Sequence, residues 1–144
     1  MPGLSFPGVG AGLAVLRDGK ILLYRRKKAP EAGHWNILGG KVDHMEPAQE
    51  AARREAEEES GLQIDSIRFL CLSEQIIRED NQHWLSLIYV CDRFTGEPAM
   101  VEPDKFHEIG WFFPEELPQP LSRFTTVAVS ELTKAGYFAR TDAS

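Results

Sequence analysis

Residues 39–62 read GGKVDHMEPAQEAARREAEEESGL. Pro47 suits the first position of a helix and Gly61 the left-handed residue after its last turn, so the segment predicts a helix over 47–60. Between Glu46 and Glu59 it holds six glutamates. Residues three and four apart on a helix are neighbours, so Glu50 can meet Arg54, Arg53 can meet Glu57, and Arg54 can meet Glu58. Glu55 and Glu59 find no cation at their helical neighbour positions. At ~100° per residue, Glu59 lies about 40° to one side of Glu55 and Glu58 about 60° to the other. The three carboxylates therefore share one face.

That arrangement costs stability twice. Carboxylates about 4 Å apart repel by roughly 4 kcal/mol at a near-surface effective dielectric. Glu57, Glu58 and Glu59 also occupy the last turn, where the helix dipole disfavours each anion by about 0.3–1 kcal/mol. A solvated, salt-bridged surface helix is the competing reading, because water relaxes both costs. A divalent cation removes both, and clustered carboxylate oxygens suit Mg²⁺ or Mn²⁺. The spacing favours the metal. On the opposite face the only apolar residues are Ala48, Ala51, Ala52 and Ala56, whose small side chains allow a sheet to approach closely.

Working outward, residues 9–17 and 20–26 are apolar strands separated by Asp18-Gly19, a strong two-residue hairpin signal. HWNIL, residues 34–38, is a short strand or loop entering Gly39-Gly40. Residues 64–79 and 83–94 read as long strands joined by EDNQ, and 108–113 as a further strand. Residues 122–135 read as a final helix, with Ser122 as N-cap and Gly136 as its stop. Strands, helix, strands, helix in that order predict an α/β (α+β) domain, a mixed sheet layered between helices. The 144 residues make one domain, with 1–7 as a tail.

Composition narrows the function. A net charge of −6 argues against a general duplex-binding protein, although a bound metal can still bring in a small polyanion. Cys71 and Cys91 lie in apolar strands without a CxxC pair and read as buried free thiols. There is no basic leader and no apolar run of the ~18 residues that a membrane span needs. A cytoplasmic protein with no nucleic-acid or membrane partner is expected.

The glutamate segment resembles the signature box of the Nudix hydrolases: G, five residues, E, seven residues, then R-E-U-x-E-E-x-G-U, with U bulky and aliphatic. Here these positions are Gly40, Glu46, and Arg54 through Leu62, with only Ala56 smaller than usual. The match covers 23 of the 144 residues. The resemblance implies an α/β/α sandwich and metal-dependent hydrolysis of a nucleoside diphosphate linked to another group. It implies Glu55, Glu58 and Glu59 as metal ligands and catalytic residues, with Glu55 orienting or deprotonating water and Gly39 giving a backbone carbonyl to the metal. Gly40, Glu46 and Arg54 would shape and support the site. FTGEPAMVEPDKFHEIGWF, residues 94–112, resembles the matching stretch of the MutT-type branch, which implies Glu102 as a further metal ligand. YRRKK, residues 24–28, resembles a strand end that places a phosphate-binding Arg26, with Lys41 as a second phosphate contact. The expected substrate is a nucleoside triphosphate. The alternatives are ADP-ribose or a dinucleotide, or a non-catalytic nucleotide sensor. The resemblance also admits a homodimer, for which the sequence marks no interface. Leu38, Asp43 and Met45 depart from the commonest family form and leave the shape of the 40–46 loop open.

Overall fold

The computed structural model describes residues 1–139, so the last five residues of the expected domain lie outside the described ones. Seven strands and two α-helices are present among them: β1 (Gly8–Arg17), β2 (Lys20–Arg26), β3 (Trp35–Asn36), β4 (Leu38–Lys41), α1 (Ala48–Ser60), β5 (Gln63–Ile77), β6 (Gln82–Thr95), β7 (Phe106–Phe112) and α2 (Arg123–Lys134). No helix among the described residues is long and apolar enough to cross a membrane.

β1 organises the sheet. Residues Gly8 to Val15 pair in parallel with β6, and residues Gly10 to Leu13 pair antiparallel with β4. Its last two residues turn through the hairpin to pair with β2. Asp18 and Gly19 both have positive φ, 54° and 78°, as the Asp-Gly loop predicts. β2 then carries β3 and β7, and β5 closes the far edge against β6. The sheet is mixed, as expected, with β1·β6 as its parallel pair.

Strands covered on both faces read as near-continuous apolar runs, and their alternation sorts side chains between two cores. Ala11, Leu13 and Val15 of β1 pack on the α1 side with Leu22, Tyr24, Tyr89 and Cys91. Ala14 and Leu16 pack on the α2 side with Ile21, Leu23, Ile88, Val90, Ala128 and Leu132. α1 meets the sheet through Ala51, Ala52 and Ala56, all fully buried. Cys91 is buried and Cys71 half-buried, both as free thiols.

Several local expectations shift. Pro47 is the N-cap, with ψ 138°, rather than the first helical residue, and its carbonyl accepts the Ala51 N–H at 3.0 Å. Gly61 caps the other end at φ 76°. HWNIL contributes two separate strands, and Gly39, Gly40 and Lys41 belong to β4. β5 stops at Ile77, and Arg78–Asp80 forms a 3-10 turn that ends at left-handed Asn81. β7 begins two residues before the predicted start, at Phe106. Ser122 caps α2 as predicted, its Oγ accepting the Thr125 N–H. The segment expected as a tail is seated against β6, where the Gly3 carbonyl accepts the His83 N–H at 2.9 Å.

Candidate active site

Arg54 is the hub of the box. Its Nε and Nη2 donate to the two oxygens of Glu46, at 2.7 and 3.0 Å, a fork geometry that fixes both side chains. Glu46 also accepts the Asp43 N–H at 3.1 Å. Arg54 and that amide hold the Glu46 carboxyl down at about 2. The third nitrogen of Arg54 donates to Glu55 at 3.0 Å and to Glu58 at 3.3 Å. Helical spacing therefore missed a partner. Arg54 reaches Glu55, its own chain neighbour, because Glu46 pulls the guanidinium across the helix face. Two further pairings were also misassigned. Arg53 donates to the Ile64 and Asp65 carbonyls, and Glu57 accepts the Ile64 N–H at 2.9 Å. Both tie α1 to the start of β5 instead of pairing with each other. Glu50 lies 3.9 Å from Arg53, not against Arg54.

The glycines of β4 bring the helix close. A Cβ on Gly40 would stand 2.6 and 2.7 Å from the two carboxylate oxygens of Glu55, so only glycine leaves room for that group. A Cβ on Gly39 would stand 2.6 Å from the Ala11 carbonyl oxygen, so this glycine lets β4 lie on β1. The Gly39 N–H donates to Glu59 at 2.9 Å. This contact joins residues 20 apart in the chain. Glu59 is 5% exposed. Burial, reinforced by the nearby charges of Glu55 and Glu102, pushes its carboxyl up to about 8 against the pull of the Gly39 amide and Lys105. Burial also raises Glu55, opposed by Arg54. Glu58, 53% exposed, faces water.

Glu102 arrives from the loop between β6 and β7. Tyr24 Oη donates to the Ala99 carbonyl at 2.7 Å, and the Ala99 N–H donates to Ser60 at 2.9 Å. These bonds hold the loop against the end of α1. Glu102 Oε2 lies 3.1 Å from Lys105 Nζ, while Oε1 is buried with no hydrogen-bond partner. Among the described residues no three Asp, Glu, His or Cys side chains are already gathered tightly enough to hold a metal ion. The donor set still fits a hard divalent cation. Glu55, Glu58, Glu59 and Glu102 offer oxygens alone, and a buried acceptor without a partner is costly until a cation or donor reaches it.

A cleft adjoins this cluster on the other side of β4. Gly39, Gly40, Lys41 and Arg26 form its near wall, and Asn36, Gln75, Trp84, Ser86 and Phe124 line its depth. Arg26 faces this cleft, but its Nε and Nη2 donate to the Pro30 and Ala29 carbonyls, so it also fastens the 27–33 loop. Lys41 is exposed at the mouth. Asn36 Oδ1 accepts from the Ser122 and Thr125 hydroxyls, at 2.5 and 2.9 Å. Gln75 donates to Ser73 at 2.6 Å and accepts from Ser86 at 2.9 Å. None of these cleft amides was singled out from the sequence. Ser73, Gln75 and Ser86 are polar residues at inward strand positions, and that break in alternation was the available signal. Lys105 was missed as well; its cue was only a lysine three residues after Glu102.

Residues 7–130 match the model of the NUDIX domain. The chain is 36% identical over 110 residues to an oxidized purine nucleoside triphosphate hydrolase of Danio rerio, spanning 72% of this chain and 65% of that protein. It is 33% identical over 91 residues to an ADP-ribose pyrophosphatase of Methanocaldococcus jannaschii, spanning 63% of this chain and 54% of that one. Among solved structures, a MutT NUDIX hydrolase from Burkholderia pseudomallei superposes with a TM-score of 0.85 at 45% identity, covering 88% of this chain and 98% of that chain. The glutamate face of α1 and the glycines of β4 thus lie within a matched domain, and the chain belongs to the NUDIX family.

Proposed function

We propose that this chain is a cytoplasmic, divalent-metal-dependent pyrophosphohydrolase that cleaves a nucleoside diphosphate linked to a further group. The most direct substrate is a nucleoside triphosphate, giving monophosphate and pyrophosphate. The observation that carries this reading is the buried, partnerless Oε1 of Glu102, held by a separate loop beside the carboxylate face of α1. A fold shaped for stability alone has no use for a buried, unpartnered carboxylate oxygen on Glu102 within electrostatic reach of the buried Glu59. The zebrafish relative, named for nucleoside triphosphate hydrolysis, supports the substrate class.

Glu55, Glu58, Glu59 and Glu102 would hold Mg²⁺ or Mn²⁺, with the Gly39 backbone carbonyl as a further donor. When bound, the cation lowers the pKa of water and neutralises charge developing on phosphorus. The chain's own residues do the rest. Glu55, steered by Arg54, orients a water and takes its proton as the oxygen attacks phosphorus and the anhydride P–O bond breaks. Glu46 holds the Nε and Nη2 of Arg54, so that only its third nitrogen reaches Glu55 and Glu58. The Gly39 amide fixes one oxygen of Glu59. Lys41 and Arg26 present positive charge to the phosphate chain at the cleft mouth, and the cleft receives the nucleoside.

The test is pyrophosphate release from a panel of ordinary and oxidised (d)NTPs with Mg²⁺, repeated in EDTA. Turnover on at least one triphosphate, lost in EDTA, is expected. Turnover on ADP-ribose alone would replace the substrate class. Tight nucleotide binding with no turnover on any member would replace the enzyme with a sensor.

A further inference from the structure

Lys105 and Glu102 share one turn. The Lys105 N–H donates to the Glu102 carbonyl at 2.9 Å, and the Lys105 ammonium meets Glu102 Oε2 at 3.1 Å. The turn itself is pinned, because the Lys27 N–H donates to the Lys105 carbonyl at 2.8 Å and Lys27 Nζ donates to the Pro103 carbonyl. The backbone under Lys105 is therefore held on both sides, while its side chain is 48% exposed. Only the flexible four-carbon stem is left to move.

Of the other cations near the cluster, Arg54 and Arg26 are committed, while Lys41 stands exposed at the cleft mouth. Arg54 spends its fork on Glu46 and its remaining nitrogen on Glu55 and Glu58. Arg26 is bound to the Pro30 and Ala29 carbonyls. Lys105 has one ion-pair partner and also acts electrostatically on Glu55 and Glu59. A lysine ammonium and a small divalent cation seek the same hard oxygens. A cation taking the vacant Oε1 of Glu102 brings two positive charges beside an ammonium on Oε2 of the same carboxylate. Like charges at that range drive the ammonium off, and a substrate carrying phosphate charge is the acceptor within its reach.

We infer that Lys105 is the resident counter-ion of the carboxylate cluster, held on Glu102 in the metal-free protein and surrendered to the substrate's phosphate chain when a divalent cation takes the carboxylates. The inference rests on the metal reading above and adds a positioning residue to it. The metal-free protein would then be neutralised in part by its own lysine, and the cation would have to compete with that lysine for its place.

The experiment is calorimetric titration of Mn²⁺ into metal-free wild type, Lys105→Met and Lys28→Met at one ionic strength. Thermal melts in EDTA and in Mn²⁺ accompany it. Removing the ammonium that competes with the cation for Glu102 predicts roughly fivefold tighter Mn²⁺ binding by Lys105→Met. Lys28→Met, which removes an exposed charge outside the cluster, is expected to stay within about twofold of wild type by solvent screening. Lys105→Met should melt lower than wild type in EDTA and converge on it in saturating Mn²⁺. With the preferred triphosphate its KM should rise more than its kcat falls. Lys105→Gln serves as a second uncharged variant should the methionine impair folding. Wild type that binds no Mn²⁺ at millimolar concentration would overturn the metal reading and this inference together. Wild type that binds Mn²⁺, with both uncharged variants binding it equally or more weakly, would overturn the counter-ion role alone.

Discussion

Replacing Gly40 by alanine tests the site with little effect on the fold. Gly40 has no positive φ among the residues that adopt one, so alanine brings no backbone strain. Its Cβ would stand 2.6 and 2.7 Å from the Glu55 carboxylate oxygens, whereas ordinary van der Waals contact begins at 3.4 Å. The carboxylate must retreat by nearly 1 Å. It is the free end of a rotatable side chain, so the retreat disturbs little packing. What it disturbs is the 3.0 Å contact with Arg54 and the position from which Glu55 acts on water. A 1 Å displacement of a catalytic group costs on the order of 100-fold in rate. The matched control is Gly39→Ala. There the new Cβ would meet the Ala11 carbonyl oxygen at 2.6 Å and the Gly12 Cα at 2.9 Å, both backbone atoms that cannot step aside. Overpacking of that kind costs about 1–3 kcal/mol. The assay is kcat with the preferred triphosphate alongside thermal unfolding of each variant. Gly40→Ala should melt near wild type and lose about two orders of magnitude in kcat, while Gly39→Ala should melt several degrees lower. A Gly40→Ala enzyme with full activity would sink the assignment of Glu55.

The remaining expectations concern charge and capping. Glu59 has its folded carboxyl raised from 4.5 to about 8, so the folded protein holds a proton that the unfolded chain releases between those values. Metal-free protein should therefore lose stability as pH rises from about 4.5 to 8. Glu59→Gln in EDTA should melt above wild type at pH 8 and converge on it near pH 5, and parallel melting curves across that range would refute the burial argument. Glu46, held down at about 2, should behave in the opposite sense, its pairing with Arg54 lost only as pH falls from 4.5 toward 2. In Arg54→Met, chemical-shift titration of Glu46 should show its carboxyl return toward 4.5. Ser122 caps α2 and donates to Asn36, so Ser122→Ala should cost about 1–2 kcal/mol in denaturant unfolding, and an unchanged midpoint would contradict the cap.

Much of the site was legible because its logic is local. A proline and a glycine bracket α1, alanines mark its buried face, and the 3.6-residue period alone puts Glu55, Glu58 and Glu59 together. The Asp18-Gly19 hairpin was readable for the same reason, since a turn's chemistry lies in its own two residues. Family resemblance extended this to Glu102, which no period connects to the helix. Pairing within the helix was read less well. Neighbour spacing joined Arg53 to Glu57, but β5 lies closer to both, and its backbone groups satisfy them instead.

What the sequence determined by itself was the helix, the face its carboxylates occupy, and the small side chains that let it approach the sheet. The tertiary structure decided which groups complete that face. β1 lies parallel to β6 while holding β4 on its other edge, and this places the Gly39 amide on Glu59 and the Gly40 backbone under Glu55. The turn after β6 brings Glu102 and Lys105 into electrostatic reach of Glu59. The inward polar residues Gln75 of β5 and Ser86 of β6 hydrogen-bond diagonally across the paired strands, where Ser86 lies opposite Ser73 and Gln75 opposite Trp84, and line the cleft. These contacts span tens of residues, and their partners are chosen by strand pairing and burial, which no local period encodes.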